Sequence, residues 1–258
     1  MRNTAANTRY KKLPVHQLFK GCSPLQLLCN WIENRPQTAT FHTTNVDNKQ
    51  NKQENLILKV MATDIKKIIE NLLEFYDFNN QTIISVGAGG GQFIEYGRVS
   101  KQVIAVDNDK EALSRLENSL QKSQLLNKFT LINSDFYLLN RKGDIVMFEF
   151  CLHEMKNPEA AINHALTMAP NILINDHWPS SEWAYIVDEK EKVINSWKSL
   201  KKFDFKKIQQ YNTVQFFHDY EELFQKVKVQ GENSINRISQ YKDKKDFTIP
   251  MSYGFALI

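Results

Sequence analysis

Apolar positions along the chain follow two periods that alternate from residue 56 onward. Leu56, Val60, Met61, Ile65, Ile68, Ile69, Leu72, Leu73 and Tyr76 recur every three to four residues, which predicts an amphipathic helix reaching Phe78. Short runs rich in β-branched residues then predict strands at Thr82–Val86, Lys101–Val106, Phe129–Ile132, Asp144–Phe150 and Asn171–Asn175. The fourth run is almost wholly apolar, as a strand covered on both faces should be. Ala112, Leu113, Leu116 and Leu120 predict a helix capped by Asn108 or Asp109, and Pro158 opens another that runs to Met168. Strands alternating with helices of this length imply a parallel sheet with right-handed crossovers.

Past residue 176 the rhythm changes. Ser181–Leu200 and Asp219–Val227 predict helices, the second capped by Asp219. Ile235–Tyr241 and Ile249–Ile258 read as strands, and their closeness in sequence suggests an antiparallel hairpin at the sheet edge. The expected fold is an α/β three-layer sandwich with a seven-stranded, mostly parallel sheet ending in that hairpin. Residues 1–54 form a separable N-terminal helical extension. It comprises a basic arm (Arg2, Arg9, Lys11, Lys12, Lys20), a short helix over Pro24–Asn34 capped by Ser23, and a Thr-, Asn- and Gln-rich linker. The rest of the chain, 55–258, is expected to be one domain.

Composition narrows the setting. A hydrophobic content of 42% with 16 Phe supports a core of ordinary size. No apolar run has the length of a membrane span, and the start lacks a secretory apolar region. Cys22, Cys29 and Cys151 suit neither a disulfide framework nor a zinc site, so a cytoplasmic protein is expected. The net charge of +4 is too mild to argue for a nucleic-acid partner.

Chemistry is concentrated where strands end. Four of the nine glycines lie in Gly87-Ala88-Gly89-Gly90-Gly91, directly after the first strand. Such a turn lets the backbone approach a ligand closely, and a helix N-terminus is expected to follow it. Open α/β sheets bind ligands beyond the carboxyl ends of their strands. Asp107, about 20 residues after Gly87, stands where a carboxylate can accept both hydroxyls of a ribose or cap the next helix. Asp135 can accept from an adenine amine or simply form a turn.

These residues, with Ser134-Asp135-Phe136 and Asp144 through Cys151-Leu152-His153-Glu154-Met155, resemble the successive motifs of class I S-adenosylmethionine-dependent methyltransferases. Gly87, Gly89 and Gly91 match that family's GxGxG. The GxGxxG of nicotinamide- or flavin-binding domains needs a glycine where this chain has Gln92. The resemblance covers about residues 56–177, and Tyr253–Ile258 is similar to the family's closing strand. It implies S-adenosyl-L-methionine as cofactor and S-adenosyl-L-homocysteine as product. Gly87, Ala88, Gly89 and Gly91 would meet the methionine moiety, Asp107 with Asn108 the ribose, and Asp135 with Phe136 the adenine. Glu149 and Phe150 would line the other side through backbone groups. The fourth strand's tail departs from the common Leu-His-His, reading Leu152-His153-Glu154, so no role for a second histidine carries over.

The acceptor side is expected after strands four and five. His153, His177 and Asp176 are the candidate catalytic residues, a histidine being the usual base near neutral pH. Either histidine could instead be a packed structural residue. Trp178, Trp183 and Tyr185 are candidates for an aromatic wall around an acceptor, with core packing the alternative for at least one. His153, Glu154, Asp176, His177 and Glu182 are of metal-binding types, but no HExxH-type spacing is present and no metal is expected. Cys151 reads as a buried strand-end residue. The departure from the βα rhythm over 178–240 reads as an insertion that can build an acceptor pocket. A small-molecule acceptor is expected, with RNA or protein methylation, supported only by the basic arm, and a non-catalytic scaffold as alternatives. The acceptor atom and the oligomeric state stay open.

Overall fold

The computed structural model describes residues 65–89 and 91–258. The N-terminal extension, with its basic arm, helix and linker, lies outside the described residues, as does the start of the helix predicted from Leu56. Its described part, α1 (65–75), buries Ile68, Leu72 and Phe75. The chain continues through β1 (Thr82–Val86), β2 (Gln102–Asp107), α2 (Lys110–Lys122), β3 (Phe129–Asn133), β4 (Ile145–Glu149), α3 (Pro158–Leu166) and β5 (Asn171–His177). It then forms α4 (Glu182–Ile186), α5 (Lys190–Leu200), β6 (Lys207–Phe217), α6 (Tyr220–Val227), α7 (Glu232–Ile238) and β7 (Phe247–Leu257).

The seven strands form one sheet in the order β3-β2-β1-β4-β5-β7-β6. The first five are parallel, and β7 runs antiparallel to both of its neighbours. Alternate residues feed two cores. Ile83, Met147 and Leu173 face α1 and α2, whereas Ile84, Val146 and Ile174 face α3 and α5. This is the expected three-layer sandwich, with its antiparallel pair at one edge.

Several local features differ from the sequence reading. Ile235–Tyr241 is helical, not a strand: Ile235, Ile238 and Tyr241 are spaced for one helix face, and Ile238 and Tyr241 are buried. The partner of β7 is instead β6, whose Lys-Ile-Gln-Gln-Tyr-Asn start is mostly exposed and hides the strand period. Ser181–Leu200 is two helices, broken where Asp188 takes φ of 63°. The glycine turn leads into a short 3-10 turn, Glu95–Arg98, in place of an α-helix. β5 runs on to His177 because β7 pairs with it beyond the end of β4, aligning Asp176 with Gly254 and His177 with Tyr253. Both caps proposed for α2 and α6 hold: Asp109 accepts from Glu111 N–H and Asp219 from Glu222 N–H. Among the described residues no helix is long and apolar enough to cross a membrane.

Candidate active site

A cleft of about 250 Å³ opens at the carboxyl ends of β1 to β4. Val86 and Gly87 form its floor, Val106, Asp107 and Asn108 one side, and Ser134, Asp135 and Phe136 the next. Phe150, Cys151, Glu154 and Met155 close it. The predicted residues Gly87, Asp107, Asn108, Asp135, Phe136 and Phe150 are therefore brought together. Ala88, Gly89, Gly91 and Glu149 are not part of that lining.

The glycine turn is sterically required at its first position. Gly87 has φ of 67°, and a Cβ there would lie 2.5 Å from Cys151 Cβ. The turn is tied to β2 by Gly87 N–H donating to Val106 O (3.0 Å) and by Gly89 N–H donating to Asp107 Oδ2 (3.1 Å). Asp107 Oδ1 accepts from Asp109 N–H at 2.9 Å. Burial raises the Asp107 carboxyl from its ordinary value, against those two backbone bonds. Asp135 is exposed and accepts from Tyr137 N–H, while the Phe136 ring packs edge-on against Phe148. Phe150 holds a positive φ of 50° at the cleft, a strained conformation of the kind that recurs at ligand sites.

Glu149 turns its side chain under the glycine turn. Its Oε1 accepts from Ser85 Oγ and from Tyr96 OH, the latter at 2.6 Å. Burial pushes this carboxyl up to about 7, against the two hydroxyl bonds, with Asp107 adding repulsion. The sequence assigned Glu149 only a backbone role. Cys151 donates to Val86 O, and burial followed by the nearby carboxylates Asp176 and Asp107 pushes its thiol well up, which leaves it inert.

Behind Glu154, at the cleft's β4–β5 wall, lies a buried polar cluster. Asp176 Oδ1 sits 2.5 Å from His153 Nδ1 and accepts from His177 N–H at 2.8 Å, while Oδ2 accepts from His153 N–H at 3.1 Å. Asp176 is thus spent on fixing its neighbours. Burial alone would lower His153, but the Asp176 charge overrides it and holds the imidazole well above its ordinary value. His177 is fully buried, and burial with the neighbouring His153 lowers it to about 3. Glu154 is held at about 2 against burial by His153 and Lys192. Glu189, which the sequence did not single out, joins the cluster 3.4 Å from His153 Nε2.

The predicted aromatic wall does not assemble at the cleft. Trp183 is fully buried, stacked on Phe217 with Lys226 over its ring. Trp178 packs on Trp197, and Tyr185 is exposed with Arg237 against its face. Glu182 accepts from Tyr241 OH, away from the histidines.

Residues 84–169 match the family described as a methyltransferase domain, a span that includes the glycine turn, Asp107, Asp135 and His153. Over that span, a third of the chain, the sequence is similar to methyltransferase domains, in agreement with the resemblance drawn from its motifs. Two solved structures share its fold. The protein BH2331 of Bacillus halodurans C-125 is 12% identical, with a TM-score of 0.55 over 76% of this chain and 97% of that one. YcgJ of Bacillus subtilis is 13% identical, with a TM-score of 0.55 over 74% and 96%. A third, the [4+2]-cyclase SpnF, has a TM-score of 0.50 at 12% identity over 74% and 79%, so the fold alone does not fix a reaction. No curated protein matches the chain in sequence. S-adenosyl-L-methionine is the cofactor that the resemblance implies. The residues fit it: a buried carboxylate tied to the glycine turn, a second carboxylate at the next strand end, and apolar walls from Val106, Phe136 and Met155.

Proposed function

We propose that the domain methylates a small-molecule acceptor held at the Cys151–Met155 wall of the cleft. The observation that carries this reading is the cleft in which the glycine turn, Asp107 and Asp135 face a wall backed by the His153 cluster. The bound cofactor supplies an electrophilic methyl group. The chain's residues bind, orient and exclude water. Asp107 and Asn108 take the ribose edge, Asp135 and Phe136 the base, and the glycine turn the amino-acid end.

Asp176 fixes the ring of His153 and so acts as a positioning residue. The raised His153 faces Glu154 and Glu189 behind the cleft wall, while His177 stays neutral and sealed. Neither histidine is proposed as a free base in the ligand-free protein. A cytoplasmic setting and small-molecule partners belong to the same reading.

The test incubates the protein with methyl-labelled cofactor and fractionated cell extract. Label is expected in the small-molecule fraction; label confined to RNA or protein would replace the acceptor class. Thermal stabilisation should be seen with S-adenosylmethionine or its demethylated product and not with NAD or NADP.

A further inference from the structure

His153, Glu154 and Glu189 each bring one ligand atom within 4.8 Å of the other two. We propose that these residues form a divalent transition-metal site, with His177 Nε2 at its edge. The ligand atoms are His153 Nε2, Glu154 Oε1 and Glu189 Oε2. His153 Nε2 lies 3.4 Å from each carboxylate oxygen, and His177 Nε2 lies 4.0 Å from Glu189 Oε2.

Three independent features point to an ion. First, His153 Nε2, Glu189 Oε2 and both ring nitrogens of His177 are buried without a hydrogen-bond partner. Unsatisfied groups of this kind are costly and rare in folded proteins, and an ion that takes lone pairs from His153 Nε2, Glu189 Oε2 and His177 Nε2 accounts for three of these four atoms. Second, the separations suit coordination. Ligand atoms about 2.0–2.1 Å from a tetrahedral ion stand about 3.3 Å apart, and two of the three separations here are 3.4 Å, the third lying within 4.8 Å. Third, the supporting residue is in place. Asp176 receives the Nδ1 side of His153, which turns the Nε2 lone pair toward the two carboxylates, the arrangement that orients metal-binding histidines.

Glu189 occupies the residue before α5 but makes no capping bond, and its side chain is buried toward the cluster instead. Charge also balances: Asp176, Glu154 and Glu189 are offset by Lys192, which bonds Glu154, together with one divalent cation. In the metal-free protein a proton on His153 takes the cation's place, and proton and ion compete. Mixed imidazole and carboxylate ligands favour zinc(II), manganese(II) or iron(II) over magnesium, which prefers oxygen. Glu154 also lines the cleft, so the ion would stand at its wall as a Lewis acid for an acceptor oxygen. That last consequence rests on the proposed function; binding of the ion does not.

The test strips the full-length protein with a chelator and titrates it with zinc(II) by calorimetry and with cobalt(II) in the visible range. One ion per chain is expected, with a Kd of about 1 μM or below, cobalt d–d bands and no competition from magnesium. His153→Gln and Glu189→Gln should each weaken binding more than about 100-fold, and Asp176→Asn about 10- to 100-fold. Glu154→Gln, at a half-exposed side chain that tolerates exchange, keeps the test decisive if the buried variants fail to fold; it too should weaken binding. Zinc bound no more tightly by the wild type than by the variants, or not at all, overturns the site and leaves the cluster closed by a proton. Neither readout involves methyl transfer, so failure here leaves the labelling and cofactor results standing.

Discussion

Replacing Glu149 by glutamine should make the protein more stable relative to wild type as pH rises from 4.5 to 7. Wild-type Glu149 is buried, and its carboxyl is raised from 4.5 to about 7. Between those values the folded state holds a proton that the unfolded state has released, so wild-type stability falls with rising pH. The contribution of the neutral acid is fully present below pH 4.5 and lost by pH 7. At about 1.4 kcal/mol per unit, the whole change is about 3 kcal/mol. Glutamine keeps an acceptor for Ser85 Oγ and Tyr96 OH but brings an NH2 group where Oε2 stood. An unmet NH2 costs about 1–3 kcal/mol, at every pH alike. The deciding quantity is therefore the slope and not the absolute difference. Urea unfolding of both proteins at half-unit steps from pH 4.5 to 8 measures it. A wild-type-minus-variant difference that stays flat across this range would refute a buried, proton-holding Glu149.

Asp107→Asn should weaken S-adenosylmethionine binding about 10- to 100-fold through loss of a charge-assisted bond, read by calorimetry; unchanged affinity removes Asp107 from the ribose role. Gly254→Ala places a Cβ 2.5 Å from the Trp178 ring and should cost about 1–3 kcal/mol on thermal unfolding. No loss there would mean that Trp178 moves freely off Trp197. Asp219→Ala removes the cap on α6 and should cost about 1 kcal/mol in the same assay. A null result would show that tertiary packing alone holds this helix.

The parallel half of the sheet was legible because each strand is short, rich in apolar residues and separated from the next by a polar turn. Its strand ends carry glycine or acidic residues, so Gly87, Asp107, Asp135 and Phe136 are legible as neighbours at one edge of the sheet, and the structure brings them to one cleft. The acceptor side was not legible in the same way. His177 reads as a loop residue until β7 extends β5 past it. Trp183 lies on a segment, Ser181–Leu200, that breaks at Asp188 with no glycine or proline to announce it, and Trp178 is held beside β7 by its N–H donating to Ser252 O. Glu189 looks like one more surface acid among Asp188, Glu189, Lys190 and Glu191. Its burial comes from the approach of the His153 turn, a contact of long sequence separation. The 235–241 segment misled because isoleucine and tyrosine favour strands intrinsically, while the packing of its i, i+3 face decided otherwise.

The placement of β7 has a consequence for how the chain reaches this structure. β6 touches the sheet only through β7, yet residues 218–246 separate the two in sequence. Until β7 arrives, β6 has no partner and the β5 edge is open, leaving two unpaired strand edges on a half-built sheet. The β5–β7 pairing spans the longest sequence separation of any strand pair among the described residues, and loop closure makes such contacts slow. Assembly should therefore stall at a five-stranded parallel intermediate, with β7 insertion as the committing step. Association between chains at the bare β5 edge is the competing outcome whenever that step is delayed.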